Sequence, residues 1–433
     1  MAAPTDAGPK RYVSTREAAF LGVGAMVGAG IFSLLGTAAE VAGSAVWLSF
    51  ALAGGIAALQ GYSFAKFGAR YPTAGGLLEY VNRAYGEGHA ATITSWLTFS
   101  ANVIVTAMVA LSFGSYASTA IADGNPAWTK GFAVLLVIVM SGLNVAGSTL
   151  VAKVQSLIVF VVVGILAFFA IVTATEANPA LVAPSTYPSL RLIISSVALT
   201  FFAFLGFGVV TFTAKDLRDP SRQLPRAMTI AIGVAAVIYI AVSLGVFGTL
   251  GVDQVIASGP TAIAVAAQPV LGDLGFWLML VTALFATAGA TNAGLYPAIG
   301  LSDHLAATGQ WPTAMGRRIG SIPVGLVVPA VAIIAMLLFF DLSAIASIGS
   351  AVALMIFGLV SIGHLRVRQE TGANLGILVL AIATTVISLV TFIFTTLIEE
   401  PASIATLIAI VIVSALIDLT WARIRDRRAT ASA

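Results

Sequence analysis

The sequence contains no cysteine, and charged residues make up only 9% of its 433 positions. The first absence excludes a disulfide framework, a thiol nucleophile and an iron–sulfur cluster, and removes the usual clue to redox compartment. The second excludes an ordinary soluble domain, in which about 25% of residues carry charge. Histidine is scarce too. His89, His304 and His364 lie in or beside expected cytoplasmic loops and do not cluster, which speaks against a metal site or a midplane proton relay. No Gly-x-x-x-x-Gly-Lys-[Ser/Thr] loop occurs, so ATP-driven transport within the chain has no support. Gly22-x-Gly24 is followed by Val27 where a dinucleotide fingerprint needs its third glycine. No acidic pair sits at helical spacing inside an apolar stretch, and no Ser/His/Asp set or metal cluster falls at depth. The chain is therefore not read as an enzyme, and neither a cofactor nor a nucleic-acid partner is expected. Residues 1–16 are polar and lack the short apolar stretch and cleavage site of a secretory leader, so a cleaved signal peptide is not expected.

What is present is apolar sequence. Hydrophobic residues make up 59% of the chain. Twelve stretches reach the roughly 20 mostly apolar residues that a helix needs to cross a bilayer. They centre near residues 29, 57, 106, 137, 162, 203, 238, 287, 330, 354, 386 and 412. Polar connectors such as Asp123-Gly-Asn-Pro126 and Glu399-Glu-Pro401 separate them. With the N-terminus in the cytoplasm, all of the 21 Lys and Arg residues except Lys130 and Arg191 fall on inside segments. That asymmetry orients the chain in the cell membrane with both termini cytoplasmic. It also tests the span count, because a missed helix would scramble every later loop. The Arg423-Ile-Arg-Asp-Arg-Arg428 cluster reads as an inside anchor at the lipid surface.

Glycine is concentrated where a spanning helix least tolerates it. Gly24, Gly28 and Gly30 fall in the middle of span 1, each costing helix stability of about 1 kcal/mol relative to Ala. They fit either a helix that breaks at bilayer depth or a small-xxx-small packing face, Gly24-x-x-x-Gly28. Span 6, through Leu199–Thr213, is interrupted at mid-depth by Gly206 and Gly208. Spans 1 and 6 are five spans apart, so they cross in opposite directions. Paired broken segments at corresponding positions of two halves point to an inverted-repeat transporter with its site at the breaks.

Four stretches resemble the amino acid–polyamine–organocation superfamily of transporters. Gly24-Ala-Met-Val-Gly-Ala-Gly-Ile-Phe32 resembles its span 1 break, and Phe201-Phe-Ala-Phe-Leu-Gly-Phe207 its span 6 break. Asp219-Pro-Ser-Arg-Gln-Leu-Pro-Arg226 resembles its Asn-Pro-x-Arg-x-x-Pro signature, with Asp for Asn. Arg70-Tyr-Pro-Thr-Ala-Gly-Gly76 resembles its Tyr-Pro-x-x-Gly-Gly element. The resemblance implies an all-α polytopic membrane protein of twelve transmembrane helices. Residues 17–175 (spans 1–5) and 190–368 (spans 6–10) would form two inverted five-helix repeats, with helices 1 and 6 broken. Residues 375–424 would carry two accessory spans, and 1–16 and 425–433 would be cytoplasmic tails. The amides at Gly28, Ala29 and Gly30 would hold a substrate carboxylate, in keeping with the pull of helix N-termini on anions. Carbonyls around Phe202, Ala203 and Leu205 would receive the ammonium, in a pocket lined by Met26, Ala29, Phe202 and Leu205, with Gly206 and Gly208 at the span 6 break. Phe202 matches an aromatic gate over the substrate, or else is a packing residue. Asn102 and Asn292 are either substrate contacts or interhelical glue.

The chain departs from relatives at three places. Gly208 stands where some carry an acidic residue, Val162 where proton-coupled ones carry a lysine, and Leu301-Ser-Asp303 where a Ser-Arg pair is usual. Coupling is compatible with a proton, with sodium held by span 1 carbonyls and by Thr287 or Thr291, or with a counter-substrate. Asp418 lies in an accessory span, but no carboxylate is visible at the expected site, and intramembrane charge usually marks an ion or substrate path. The expected substrate is therefore a zwitterion of modest size, a neutral amino acid, moved by alternating access as a secondary active permease or exchanger. An amine, a polyamine or another small organic solute on the same fold, or a non-transporting nutrient sensor, are the alternatives. A channel would need rings of polar residues or repeated filter loops, which are absent.

Overall fold

A computed structural model of the chain describes residues 12–73, 76–86, 88–146, 149–307, 313–320, 322–399 and 401–431. Lys10, Arg11, Ala74 and Gly75 lie outside the described residues, as do the side chains of Ala29, Lys153, Asp303, His304, Asp418 and the Arg423–Arg428 cluster. The described chain is almost entirely helical. In order, the helices are Thr15–Ala29 (α1), Ile31–Ala42 (α2), Val46–Arg70 (α3), Leu77–Tyr85 (α4) and His89–Ile121 (α5). Pro126–Ala146 (α6), Thr149–Glu176 (α7), Leu190–Phe202 (α8), Pro220–Thr249 (α9) and Val252–Ser258 (α10) follow. Ala262–Ala307 (α11, kinked at Gly272), Val324–Phe339 (α12), Leu342–Thr371 (α13), Leu375–Thr395 (α14) and Pro401–Ala431 (α15) complete the set. A two-residue hairpin pairs Arg318–Ile319 (β1) with Ile322–Pro323 (β2).

Among the described residues, nine helical stretches are long and apolar enough to cross a membrane, and Val324–Phe339 and Pro401–Ile417 are shorter apolar helices. One of the nine, Ile31–Arg70, contains both α2 and α3. Such a set suits a multi-pass membrane protein, because a helix closes its own backbone hydrogen bonds where no water is available. Burial sorts centre from periphery. The most apolar stretch of α13 is 83% buried, against 17% for α6, whose Leu135, Ile138 and Val139 face outward. The centre is thus built from α5, α8 and α13, with α6, α7 and α14 outside.

Helix ends are satisfied locally. Ser14 and Glu17 form a reciprocal capping box at the start of α1, with Ser14 N–H donating to Glu17 Oε2 at 2.8 Å. Lys130 and Arg191, the two basic residues expected apart from the cytoplasmic set, have local duties. Lys130 Nζ donates to Leu338 O at 2.8 Å in the last turn of α12, and Arg191 donates to Phe394 O at 3.2 Å in the last turn of α14. A cation there satisfies an unpaired carbonyl and opposes the negative end of the helix dipole.

His364, expected in or beside a loop, lies in the last turns of α13 and is fully buried. One ring nitrogen is hydrogen-bonded to Ser63 of α3 at 2.7 Å and the other to Thr371 at 2.8 Å. One turn away, Ser361 Oγ donates to Gln60 Oε1 at 2.6 Å and Gln60 Nε2 to Thr385 Oγ1 at 2.8 Å. This polar ladder joins α3, α13 and α14, and its satisfied partners explain how a histidine and a glutamine sit in an apolar bundle.

Both expected breaks are present as helix ends. α1 stops at Ala29 and α2 starts at Ile31. α8 stops at Phe202, and a 3-10 segment runs from Leu205 to Asp216. The inner pieces, α1 and Leu205–Asp216, lie side by side and antiparallel. A Cβ on Gly206 would come within 2.5 Å of the Ala25 carbonyl carbon and Met26 nitrogen, and one on Gly22 within 2.5 Å of Val210. At the far end Val13 N–H donates to Asp216 O at 2.8 Å, and Val13 bridges Leu217 in parallel register. Gly206 is therefore required by close backbone approach, whereas a Cβ on Gly208 would meet nothing within 4 Å. Gly206→Val is expected to lower stability by about 1–3 kcal/mol, the cost of overpacking, while Gly208→Val falls well short of that. Thermal unfolding of the two detergent-purified variants checks the contrast.

Candidate functional site

The two breaks meet. A Cβ built on Gly30 would lie 2.7 Å from Ala203 Cβ and would overlap the Tyr239 hydroxyl. Tyr239 comes from α9, is fully buried, and donates from Oη to Ala203 O at 3.1 Å. Phe50 and Phe204 pack on its ring with centroids 5.1 and 5.0 Å away. Sequence reasoning missed Tyr239. Its only trace is a tyrosine in the middle of an apolar stretch, where a buried phenol needs a hydrogen-bond acceptor.

Span 1 is interrupted more gently than its glycines suggested. Gly30 remains near helical dihedrals, and its N–H donates to Met26 O at 2.8 Å. In this conformation the Gly30 amide is therefore not free for a carboxylate, because the ladder of α1 continues through it. Gly28 and Ala29 lie inside α1 itself. Past the break the pattern changes, and Gly30 O accepts from both Ser33 N–H at 3.2 Å and Leu34 N–H at 3.0 Å. Span 6 is broken more fully. Ala203 and Phe204 donate to carbonyls three residues back, Thr200 O at 3.2 Å and Phe201 O at 2.9 Å, and Phe207 donates to Phe204 O at 3.0 Å. This tightening to 3-10 geometry is a frequent mark of a hinge within a helix.

Phe202 is 3% exposed, and its ring tip rests on the bare α-carbon of Gly349 in α13. A Cβ on Gly349 would also approach Ile104 of α5 within 2.8 Å. Phe202 thus reaches from the break of one helix onto α13 and α5. Met26 is fully buried and Leu205 half-buried.

Both asparagines act between helices. Asn102 Nδ2 donates to Gly294 O on α11 at 2.9 Å. Asn292 Oδ1 accepts from Asn144 Nδ2 of α6 at 2.8 Å. Each uses its side-chain amide as interhelical glue, which is worth about 0.6–2 kcal/mol in membrane bundles.

Gly28 packs against α11, where a Cβ would come within 2.9 Å of Ala286 O and Ala290 Cβ. Thr287 and Thr291 are fully buried on α11, with hydroxyls donating to Ala283 O at 2.6 Å and Thr287 O at 2.9 Å. A cavity of about 10 Å³ lies between Gly24, Val27 and Gly28 of α1, Ile158, Val159 and Val162 of α7, and Ala286. It holds about one water and is too small for an amino acid. Removing the Tyr239 hydroxyl leaves Ala203 O without that partner in a water-poor site. Tyr239→Phe is therefore expected to cost about 1–3 kcal/mol, against nearly nothing for an exposed tyrosine, as read from thermal unfolding.

Comparison with known proteins agrees with this arrangement. Residues 13–417 match the amino acid permease family. The inner membrane transport protein YbaT of Escherichia coli (strain K12) is 30% identical over 406 residues, covering 93% of this chain and 94% of the relative. Cationic amino acid transporter 2, vacuolar, of Arabidopsis thaliana is 28% identical over 381 residues, covering 80% of this chain and 58% of the relative. The methylthioribose transporter of Bacillus subtilis (strain 168) is 28% identical over 270 residues, covering 59% of this chain and 58% of the relative. The chain belongs to the amino acid permease family, and is a multi-pass membrane transporter of the amino acid–polyamine–organocation group.

Proposed function

We propose that the chain is a secondary active transporter that moves a small neutral amino acid by alternating access. The observation that carries the reading is the contact between the two helix breaks, Gly30 against Ala203, where the nearest side chains among the described residues, Ala203 and Tyr239, carry no charge. Tyr239 of α9 closes over that contact, and the Met26 backbone lies against Gly206 on the span 6 side. A zwitterion brings one charge of each sign and is served by helix ends and carbonyls alone. A polyamine or arginine adds a cation that would want a carboxylate, as charged groups at depth usually do.

In this reading the helices form twelve spans, with α1 and α2 as one broken span and α8 with Leu205–Asp216 as another. Short α4 and α10 do not cross. Spans 1–5 and 6–10 are inverted repeats, α14 and α15 are accessory, and both termini are cytoplasmic. Binding needs the Gly30 amide and the Ala203 carbonyl released from Met26 and Tyr239, so the substrate-bound state differs from the one described. The breaks are the hinges. Phe202 on its Gly349 seat is the gate that must lift. Met26, Gly28, Ala29 and Leu205 line the site, with Gly206 and Gly208 shaping its span 6 edge. Asn102 and Asn292 hold the surrounding helices together.

Coupling runs to a proton, to sodium or to a counter-substrate. Thr287 and Thr291 keep oxygen lone pairs after donating their protons, and these suit a cation beside Gly28. The activity is transport without chemical conversion. The names of the Arabidopsis and Bacillus relatives support a second reading, a cationic amino acid or another small organic solute.

The test is ligand-induced thermal stabilisation of the detergent-purified chain with the twenty amino acids, putrescine and methylthioribose. A ligand at 100 times its dissociation constant adds about 2.7 kcal/mol. Stabilisation by small neutral amino acids, followed by uptake into liposomes under imposed proton or sodium gradients, is the expected outcome. Stabilisation only by arginine, putrescine or methylthioribose overturns the substrate and leaves the fold standing.

A further inference from the structure

Hydroxyls on the spanning helices of this protein have a common fate. Thr106 donates to Asn102 O, Thr200 to Ser196 O, Ser243 to Tyr239 O and Ser350 to Ala346 O, each one turn back along its own helix. Ser33, in the first turn of α2, is fully buried and has no hydrogen-bond partner among the described residues. The break explains why. The acceptor one turn back would be the carbonyl of Ala29, which belongs to α1, on the other side of Gly30. Ser33 N–H has itself slipped to the carbonyl three residues back, Gly30 O at 3.2 Å.

A buried hydroxyl without a partner is rare, and each instance needs an explanation. Among the described residues the hydroxyls of Tyr80, Ser141, Ser196 and Ser302 are also without a partner; Tyr80 lies in the first turn of α4, and none of the four follows the span 1 or span 6 break. Helical side chains lean toward the N-terminus of their helix and cover the preceding turn. The Ser33 hydroxyl therefore leans back over the break. Gly30, three residues earlier, is its neighbour on the helix surface, and Gly30 is the residue that touches Ala203 and Tyr239. α2 starts there without any side-chain cap. An uncapped helix N-terminus with a buried donor above it presents hydrogen-bond donors to an anion.

We propose that the Ser33 hydroxyl donates directly to the carboxylate of the bound solute. The assignment rests on the transporter reading given above. Ser33 uses its proton in no other described hydrogen bond, so binding a carboxylate there breaks no side-chain contact of the empty state.

The experiment titrates the detergent-purified full-length chain with L-alanine, L-leucine and L-glutamine, and in parallel with L-alaninamide and L-leucinamide, which lack the carboxylate. Wild type is stabilised by the acids and not by the amides. Ser33→Ala without ligand melts within about 2 °C of wild type or above it, because removing an unpaired buried polar atom carries no penalty. Its apparent affinity for the acids falls about 10- to 100-fold, the range expected for one hydrogen bond to a charged group. Ser33→Thr, which keeps a hydroxyl, restores most of the loss. Wild-type affinity in Ser33→Ala overturns the Ser33 assignment alone. A ligand-free melting temperature well below wild type also overturns it, because the hydroxyl is then part of the fold. If wild type responds to none of the acids, the amino acid reading fails and the Ser33 assignment with it.

Discussion

Every backbone amide and carbonyl at bilayer depth needs a partner inside the protein, because lipid offers none. The rest of this structure follows from how that requirement is met at the two breaks. At span 1 the ladder is kept almost whole, with Gly30 N–H still on Met26 O. At span 6 the helix tightens to 3-10 geometry, and Tyr239 supplies a hydroxyl to Ala203 O from a neighbouring helix. The empty site is thus closed by its own protein groups. On the proposed reading, an amino acid exchanges with these partners, offering a carboxylate and an ammonium in place of a carbonyl and a phenol. Binding then becomes a competition between similar hydrogen bonds, which favours reversible occupancy over tight capture.

Glycine has two distinct jobs here. At Gly30, Gly206 and Gly349 the missing Cβ lets another group come closer than any side chain would allow: Ala203 and Tyr239, the backbone of α1, and the ring of Phe202. At Gly208 nothing approaches, so flexibility is the remaining role. The two readings first weighed for the glycines, a break and a packing face, are therefore both present in one segment. Gly24 and Gly28 are packed against Val159 and Ala286, and Gly30 marks the interruption.

Much of this was legible in the chain. Low charge and long apolar runs indicate a membrane protein by simple transfer physics. The clustered glycines of spans 1 and 6 locate the two helix ends that the structure contains. Partners were not legible. Nothing local in the sequence says that Tyr239 reaches Ala203, that Asn292 meets Asn144, or that His364 is held by Ser63, because those pairs are set by packing between distant helices. The satisfied Gly30 amide was missed for a related reason: a glycine that permits a break does not by itself open the ladder. Ser33 was invisible for the opposite reason, since one serine among many in apolar helices carries no signal until its neighbours are seen to be satisfied.

The antiparallel tie between α1 and Leu205–Asp216 has a mechanical consequence. The two inner half-helices touch near the break at Gly206, midway at Gly22 and Val210, and at the end through the Val13–Asp216 hydrogen bond. Two rods in contact at three levels cannot tilt separately without breaking those contacts. A pair free to swing separately would visit postures with one half displaced and a slit left beside the other, through which water and ions would leak. Fastening them removes those postures from the ensemble. The segment around Val13, far from the breaks in depth, then bears on the leak-tightness of the whole molecule.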